Sequence, residues 1–311
     1  MRILVVGAGG IGGYFGGRLA AANRDVTFLV RPARAEIFKS RGLIIRSPLG
    51  NVAIPQPSLV VASELSQHFD LIIVSCKAYD LEDAINSFAP AVGPKTAILP
   101  LLNGMAHLDI LKGRFGTEAV LGGSCFVSTT VGKDGEIVHL NDTHKLTFGE
   151  PASGLTPRVE KIEASLSGCG FDVVVSENIL NDMWHKWTFI AASAGMTCLM
   201  RSSIGDYVEA GATNIASRLL DECARTAENE GYSLNATGLE DIRSYITAVG
   251  STITTSMLRD LERGLRIEDR HIIGEMLLRA QKHGPAPLLE LINANLAAYN
   301  IRRIRETSQN P

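Results

Sequence analysis

The sequence has little of what would mark it for a metal, a membrane or a nucleic acid. Its five cysteines, Cys76, Cys125, Cys169, Cys198 and Cys223, form no C-x-x-C pair and no zinc spacing. Reduced core thiols in a cytoplasmic protein are therefore expected, not a disulfide framework. The seven histidines form no metal motif either; His139 and His144, five residues apart in a polar strand-turn stretch, read as surface groups without a ligand role. A net charge of -3 and a pI near 6.2 give no support for nucleic acid as a partner. Long hydrophobic runs are absent, since the most apolar helical segment, Thr188 to Met200, falls short of the ~20 residues that span a bilayer. No secretory signal is expected ahead of a first strand that begins at residue 2. Internal repeats, low-complexity runs and long linkers are missing as well.

What is present begins at once. Met1 to Arg34 reads MRILVVGAGG IGGYFGGRLA AANRDVTFLV RPAR, which is an apolar β-branched strand, a glycine turn, a helix and a second apolar strand. Gly7, Gly9 and Gly12 fall on the G-x-G-x-x-G spacing, with Gly10 and Ile11 between them. Gly7 permits the turn, Gly9 lets backbone approach a pyrophosphate, and Gly12 lets the helix pack close to the sheet. The helix then points free N–H groups and a positive dipole end at the phosphates. A lone motif of this kind is weak evidence, but its place between a buried-type strand and a helix predicts a dinucleotide site. Where an NAD site would carry Asp or Glu, Val30 is followed by Arg31, Pro32, Ala33 and Arg34. Guanidiniums suit a 2′-phosphate, so NADP(H) is favoured over NAD, the plainer alternative being a solvated turn with two surface arginines.

The 311 residues, 45% hydrophobic and 20% charged, suffice for two domains with their own cores. Leu43 to Arg46 and Val52 to Ile54 predict a small hairpin inserted in the nucleotide domain. Leu71 to Ser75 and Ala97 to Leu101 predict further strands, ending at Lys77 and Asn103, at the carboxyl edge where open parallel sheets bind ligands. A surface lysine and plain Asn-Gly turn chemistry are the alternatives at those two positions. From Ala119 to Gly149 consecutive short strands around a Lys133, Asp134, Gly135 turn predict antiparallel strands finishing the same sheet. A loop over Pro151 to Thr156, a helix and a last strand at Asp172 to Val175 follow. Beyond about Ser176 only helices are predicted: Asn178 to Met200, Thr213 to Gly231, Thr237 to Val249, Met257 to Arg263, Glu268 to Gly284 and Pro287 to Asn300, with a frayed polar end over the last ten residues. The domains are thus expected at 1–176 and 177–311.

Two charged residues in the helical half stand out. Lys186 lies in Trp184-His185-Lys186-Trp187, where partial burial would lower its pKa and suit it to donate a proton, unless it merely snorkels to solvent. Glu268, in Arg266-Ile267-Glu268-Asp269-Arg270, taken alone belongs to a solvated charge cluster.

Taken in order, these pieces resemble the ketopantoate reductase (2-dehydropantoate 2-reductase) family along nearly the full chain. They are the N-terminal GAGGIG, Arg31, Cys76-Lys77-Ala78, Leu102-Asn103-Gly104-Met105, Trp184-x-Lys186, Thr255-Ser256-Met257-Leu258-x-Asp260, and Arg266-Ile267-Glu268 ahead of Gly274. The resemblance implies an α/β Rossmann-type nucleotide-binding domain followed by an all-α C-terminal domain like the helical domain of 6-phosphogluconate dehydrogenase, with the active site in the cleft between them. It implies NADPH-dependent reduction of 2-dehydropantoate to pantoate, hence pantothenate biosynthesis, in a cytoplasmic enzyme that binds a small 2-oxo acid and can form a homodimer, with no metal, nucleic acid or membrane. By the same resemblance Lys186 is the general acid, Glu268 orients substrate and Lys186 and borders the cofactor, Ser256 meets the substrate carboxylate region, and Asn103 and Lys77 line the cofactor side. The chain departs from the family at Ile190 and Ala194, which stand where two asparagines would sit on the Lys186 face of the helix. The lost amides weaken the expectation of a pantoate-type substrate and leave a paralogous reductase of a more apolar 2-oxo acid open. A non-catalytic sensor of NADP(H) is the alternative of another class, distinguished by having no need of Lys186 and Glu268. Oxidation of a 2-hydroxy acid with NAD is disfavoured by Arg31 and Arg34.

Overall fold

The computed structural model describes residues 1–152 and 154–309, without the side chain of Gln309. Ser153 of the expected loop, and Asn310 and Pro311 of the polar end, lie outside the described residues. The chain divides into two compact units, Met1–Leu102 with His107–Leu180, and Asn103–Ala106 with the chain from Asn181 onwards.

The first unit opens β1 (Arg2–Val6), α1 (Gly10–Ala21), β2 (Asp25–Leu29), α2 (Pro32–Arg41), β3 (Leu43–Arg46), β4 (Val52–Ile54), β5 (Ser58–Val60), β6 (Phe69–Val74), α3 (Leu81–Phe88) and β7 (Val92–Pro100). Five of these strands form one sheet in the order β5-β2-β1-β6-β7, parallel throughout. That is the doubly wound arrangement, and the near-continuous apolar runs of β1 and β6 are what burial on both faces requires. The chain continues through α4 (Ala106–Phe115), β8 (Gly122–Val131), β9 (Ile137–Gly149), α5 (Pro157–Leu166) and β10 (Asp172–Val175).

The strands after residue 119 do not finish that sheet. β8 and β9 pair with each other antiparallel, but β9 also joins β3 and β10 in parallel, and the hairpin β3–β4 completes a second five-stranded sheet. Sequence pattern cannot separate the two arrangements, because both bury one face of the same strands. The decisive element is α1. Side chains at Gly12 and Gly16 would collide with Val5 and Phe28 of the first sheet, while side chains at Gly13 and Gly17 would collide with Ile137, Ile45 and Leu43 of the second. The helix is therefore packed on both sides, and the second sheet exists to cover its outer face.

His139 and His144 lie in this layer, contrary to their reading as surface groups. His139 is only 4% exposed, its ring bonded to Ser47 Oγ at 2.9 Å and to the Thr143 carbonyl at 3.1 Å. His144 Nδ1 meets the hydroxyl of buried Tyr14 at 2.8 Å. The polar look of Asn141 to Lys145 concealed a β-strand whose inward histidines find hydroxyl partners on α1 and the hairpin.

The second unit is helical: α6 (Ile179–Met200), α7 (Ile204–Glu209), α8 (Thr213–Asn229), α9 (Ala236–Ile246), α10 (Ser256–Glu262), α11 (Glu275–Gln281) and α12 (Pro287–Gln309). Leu219, Leu220, Cys223 and Ala227 form the buried stripe of α8. Two expectations are revised and one helix is added. The helix sought over Glu268 to Gly284 is a π-helical turn at Arg270–Gly274 followed by the short α11. The polar end does not fray from Arg302, because α12 carries on to Gln309. The extra helix α7 is secured by a reciprocal Ser203–Asp206 capping box. No helix among the described residues is long and apolar enough to cross a membrane, and all five cysteines are free thiols.

Buried Glu222 on α8 joins the unit together by accepting from the Leu288 N–H at 3.1 Å and the Leu289 N–H at 3.0 Å, the open first turn of α12. Glu222→Ala should cost about 2 kcal/mol in urea unfolding, with Glu222→Gln losing less because an acceptor oxygen remains; equal stability of Glu222→Ala and wild type would refute the cap. Gly12→Ala should cost about 3 kcal/mol or more, since its methyl would overlap the Gly7 carbonyl and Ser75 Oγ. Gly9→Ala, whose methyl would meet no atom within 4 Å, should melt near the wild-type temperature by circular dichroism.

Candidate functional site

The turn after β1 is built to leave backbone exposed to a ligand. Gly7 has φ +89°, a conformation that side chains other than glycine resist, and its N–H donates to the Leu29 carbonyl at 3.1 Å. Ser75, just past β6, donates its hydroxyl to the Val6 and Gly7 carbonyls at 3.0 and 2.8 Å and so fixes the turn from below. Gly9 is the N-cap of α1 and offers no side chain to close the helix end. The amides of Gly10, Ile11 and Gly12 in the first turn have no intrahelical acceptor by construction, and open space lies over Gly9. A cradle of free N–H groups at a helix start, kept open by glycine, fits a pyrophosphate.

The two arginines after β2 have different fates. Arg31 is largely exposed and forms an ion pair with Asp80 at 3.0 Å. Arg34 turns inward: its Nε donates to the Ala8 carbonyl at 3.2 Å and its guanidinium lies 4.4 Å from the centre of the Phe38 ring. Burial pulls the Arg34 pKa down. Arg34 thus braces the glycine turn from outside, and Arg31 alone stands at the strand end as a phosphate ligand would. Lys77 caps the short turn Ala78–Asp80 that follows β6, half-buried at the same edge.

Ser75 and Asp80 were not singled out from the sequence, and Arg34, expected beside Arg31 as a phosphate ligand, instead supports the glycine turn. Asp80 could have been, since it closes the same strand-end turn that Lys77 begins.

The remaining candidates lie in the helical unit. Lys186 is buried at 9% exposure on α6, between Trp184 and Trp187, whose rings lie 4.8 Å apart. Arg279 stacks near both rings and is held by Glu230 and Glu275 at 2.6 and 3.1 Å. Trp187 donates its indole N–H to the Ile272 carbonyl at 3.0 Å, which ties the Lys186 turn of α6 to the π-helical turn just beyond Glu268. Ten residues along, Thr197 bonds Thr255 at 2.8 Å, and Thr255 caps α10, whose first residue is the exposed Ser256. One helix therefore carries Lys186 and holds the segments bearing Glu268 and Ser256. Ile190 is half-buried and Ala194 is 1% exposed.

Asn103 also packs with this unit. Gly104 has φ +80°, and a Cβ there would stand 2.8 Å from the His271 carbonyl. The His271 ring bonds the Asn103 backbone, and burial pulls its pKa down despite the nearby Glu268 and Glu275 carboxylates. Neighbouring Asp269 is buried, which pushes its pKa up, and it accepts from Asn300 Nδ2 at 2.8 Å. Asn103, Gly104 and His271 thus pack together in the helical unit, while buried Lys186 lies on α6, half-buried Glu268 ahead of the π-helical turn, and Ser256 at the start of α10. No group of histidines, cysteines or acids that could hold a metal occurs among the described residues.

Comparison with known proteins gives the same picture. Residues 3–153 match the family model of ketopantoate reductase PanE/ApbA, and residues 178–300 match the model of its C-terminal region. The uncharacterized oxidoreductase YkpB of Bacillus subtilis strain 168 is 39% identical, over 97% of this chain and all of its own. A 2-dehydropantoate 2-reductase from Geobacter metallireducens GS-15 superposes with a TM-score of 0.87 at 26% identity, covering 96% of this chain and 99% of that one. The fold alone is shared with a D-mandelate dehydrogenase solved with NADH and anilino(oxo)acetate, at a TM-score of 0.87 and 21% identity over 97% and 99% of the two chains. A glycine cradle for a dinucleotide, a buried lysine on the long helix and two family models that together span nearly the whole sequence lead to one conclusion: the chain is an oxidoreductase of the ketopantoate reductase family.

Proposed function

We propose that the protein reduces a small 2-oxo acid with NADPH, with 2-dehydropantoate as the first substrate to consider. The observation that carries this reading is Lys186, a buried lysine on a helix that also bonds the segments next to Glu268 and Ser256 through Trp187 and Thr197. A lysine ammonium positioned at a carbonyl oxygen serves as a general acid and stabilises charge that develops there.

Bound in the glycine cradle, NADPH supplies the hydride. The chain supplies the rest. The first-turn amides of α1 hold the diphosphate, and Arg31 binds the 2′-phosphate. Asn103 and Lys77 border the cofactor. Ser256 contacts the substrate carboxylate region, and Glu268 orients the substrate and the Lys186 ammonium. Lys186 donates its proton to the substrate carbonyl oxygen and, before transfer is complete, stabilises negative charge growing there. Domains 1–176 and 177–311 divide this labour, cofactor in the first and proton transfer in the second.

A more apolar 2-oxo acid is the second reading, and it rests on Ile190 and Ala194. A site that lacks two amides loses its preference for a hydroxyl-bearing substrate, and the fold houses other oxo acids, as the D-mandelate dehydrogenase solved with anilino(oxo)acetate illustrates.

The test is steady-state NADPH oxidation with ketopantoate and a panel of 2-oxo acids of graded polarity. Lys186→Ala should lower kcat/KM by about 10²- to 10⁴-fold on whichever acid is used. Turnover of ketopantoate supports the first reading and turnover of only apolar acids the second. Silence across the panel would defeat both and favour a sensor of NADP(H), whereas full activity in Lys186→Ala would refute the general-acid role given to that lysine.

A further inference from the structure

The carboxyl edge of the first sheet carries an ion pair that the glycine cradle does not require. Arg31 follows β2, Asp80 ends the turn that follows β6, and β1 lies between those two strands. Strands once removed stand about 9.5 Å apart, so the two side chains reach toward each other across the edge at which the glycine turn leaves β1. Arg31 Nη2 and Asp80 Oδ2 meet at 3.0 Å, with the side chains 72% and 28% exposed.

An exposed pair of this kind is weak and readily exchanged. A phosphate monoester carries more charge than a carboxylate and offers three acceptor oxygens, so it takes the guanidinium from Asp80. The displaced carboxylate then stays beside the phosphate as a like charge, tethered by the turn that carries it. A ribose 2′-hydroxyl makes no such demand, since it is neutral and leaves the pair intact. The same carboxylate thus penalises one nucleotide and spares the other. Asp80 makes no side-chain cap bond to α3, which starts at the next residue, so its carboxylate serves the pair with Arg31 rather than a cap of that helix.

Resting on the NADP(H) reading above, we propose that Asp80 is a specificity-determining residue of the cofactor site, an internal competitor for Arg31 that narrows the preference for NADPH over NADH. Arg31 sets the sign of that preference and Asp80 its size.

The experiment is a titration of the purified full-length protein with NADPH and with NADH, read by nicotinamide fluorescence without substrate. Asp80→Asn should tighten NADPH by about fivefold and shift NADH by less than about twofold. Asp83→Asn, which removes an exposed acid of the adjoining helix α3, should leave both constants in place and so exclude a general effect of net charge. In an Arg31→Ala background, Asp80→Asn should no longer tighten NADPH. If Arg31→Ala weakens NADPH selectively but Asp80→Asn leaves the NADPH to NADH ratio unchanged, the proposal fails while the NADP(H) reading stands. If Arg31→Ala weakens both nucleotides equally, or neither, that reading fails and the proposal with it. Melting temperatures check the fold of each variant, and Asp80→Ser takes the place of Asp80→Asn should the latter melt early.

Discussion

The close approach of α1 to two sheets at once is the constraint on which the nucleotide unit depends. Gly12 and Gly16 admit the first sheet, and Gly13 and Gly17 admit the second. Glycine inside a helix costs about 1 kcal/mol per residue relative to alanine, so this sequence would make a poor helix in isolation. Packing against Val5, Phe28, Leu43, Ile45 and Ile137 offsets that cost. The close fit also has a functional consequence. It seats the start of α1 against the end of β1, where Ser75 locks the Gly7 turn below the first-turn amides. The stability of the fold and the readiness of the cofactor cradle therefore come from the same contacts.

In the helical unit a single helix has the corresponding role. α6 carries buried Lys186, holds the segment after Glu268 through the Trp187 indole, and holds the start of α10 through Thr197. Its neighbour, the π-helical turn Arg270–Gly274, departs from regular helix geometry where His271 reaches the Asn103 backbone and Gly104 lies against the His271 carbonyl. Irregular helical turns of this kind often occur at functional sites, because they re-aim a side chain that a regular turn would direct elsewhere. Charge is concentrated in the same region: Glu268, Asp269, Arg270, His271 and Glu275 lie within one short stretch, with Asp269 buried and tied to Asn300 of α12.

In the function proposed above, cofactor choice and substrate choice rest on different kinds of residue: the exposed Arg31 with half-buried Asp80 through charge, and Ile190 with Ala194 through shape and the absence of amide hydrogen bonds. Family membership carries the reaction class, oxidoreduction, and leaves the substrate open.

Much of this was written in local sequence. The strand–glycine–helix opening, the hairpin Leu43 to Ile54, the long helix through Met200 and the apolar stripe of α8 are readable because each depends on neighbours within a few residues. Lys186 was legible as a buried amine for the same reason, since its flanking tryptophans announce their own burial. Only the tertiary structure decided which sheet the later strands join, because edge pairing depends on what lies beneath a strand and not on its alternation. It decided that His139 and His144 turn inward, since their hydroxyl partners Ser47 and Tyr14 are about 90 and 130 residues away in sequence. It also separated Arg31 from Arg34: both are arginines after one strand, but one finds the Ala8 carbonyl and the Phe38 ring while the other finds Asp80. Local pattern determines what each segment is, and long-range contact determines what each side chain meets.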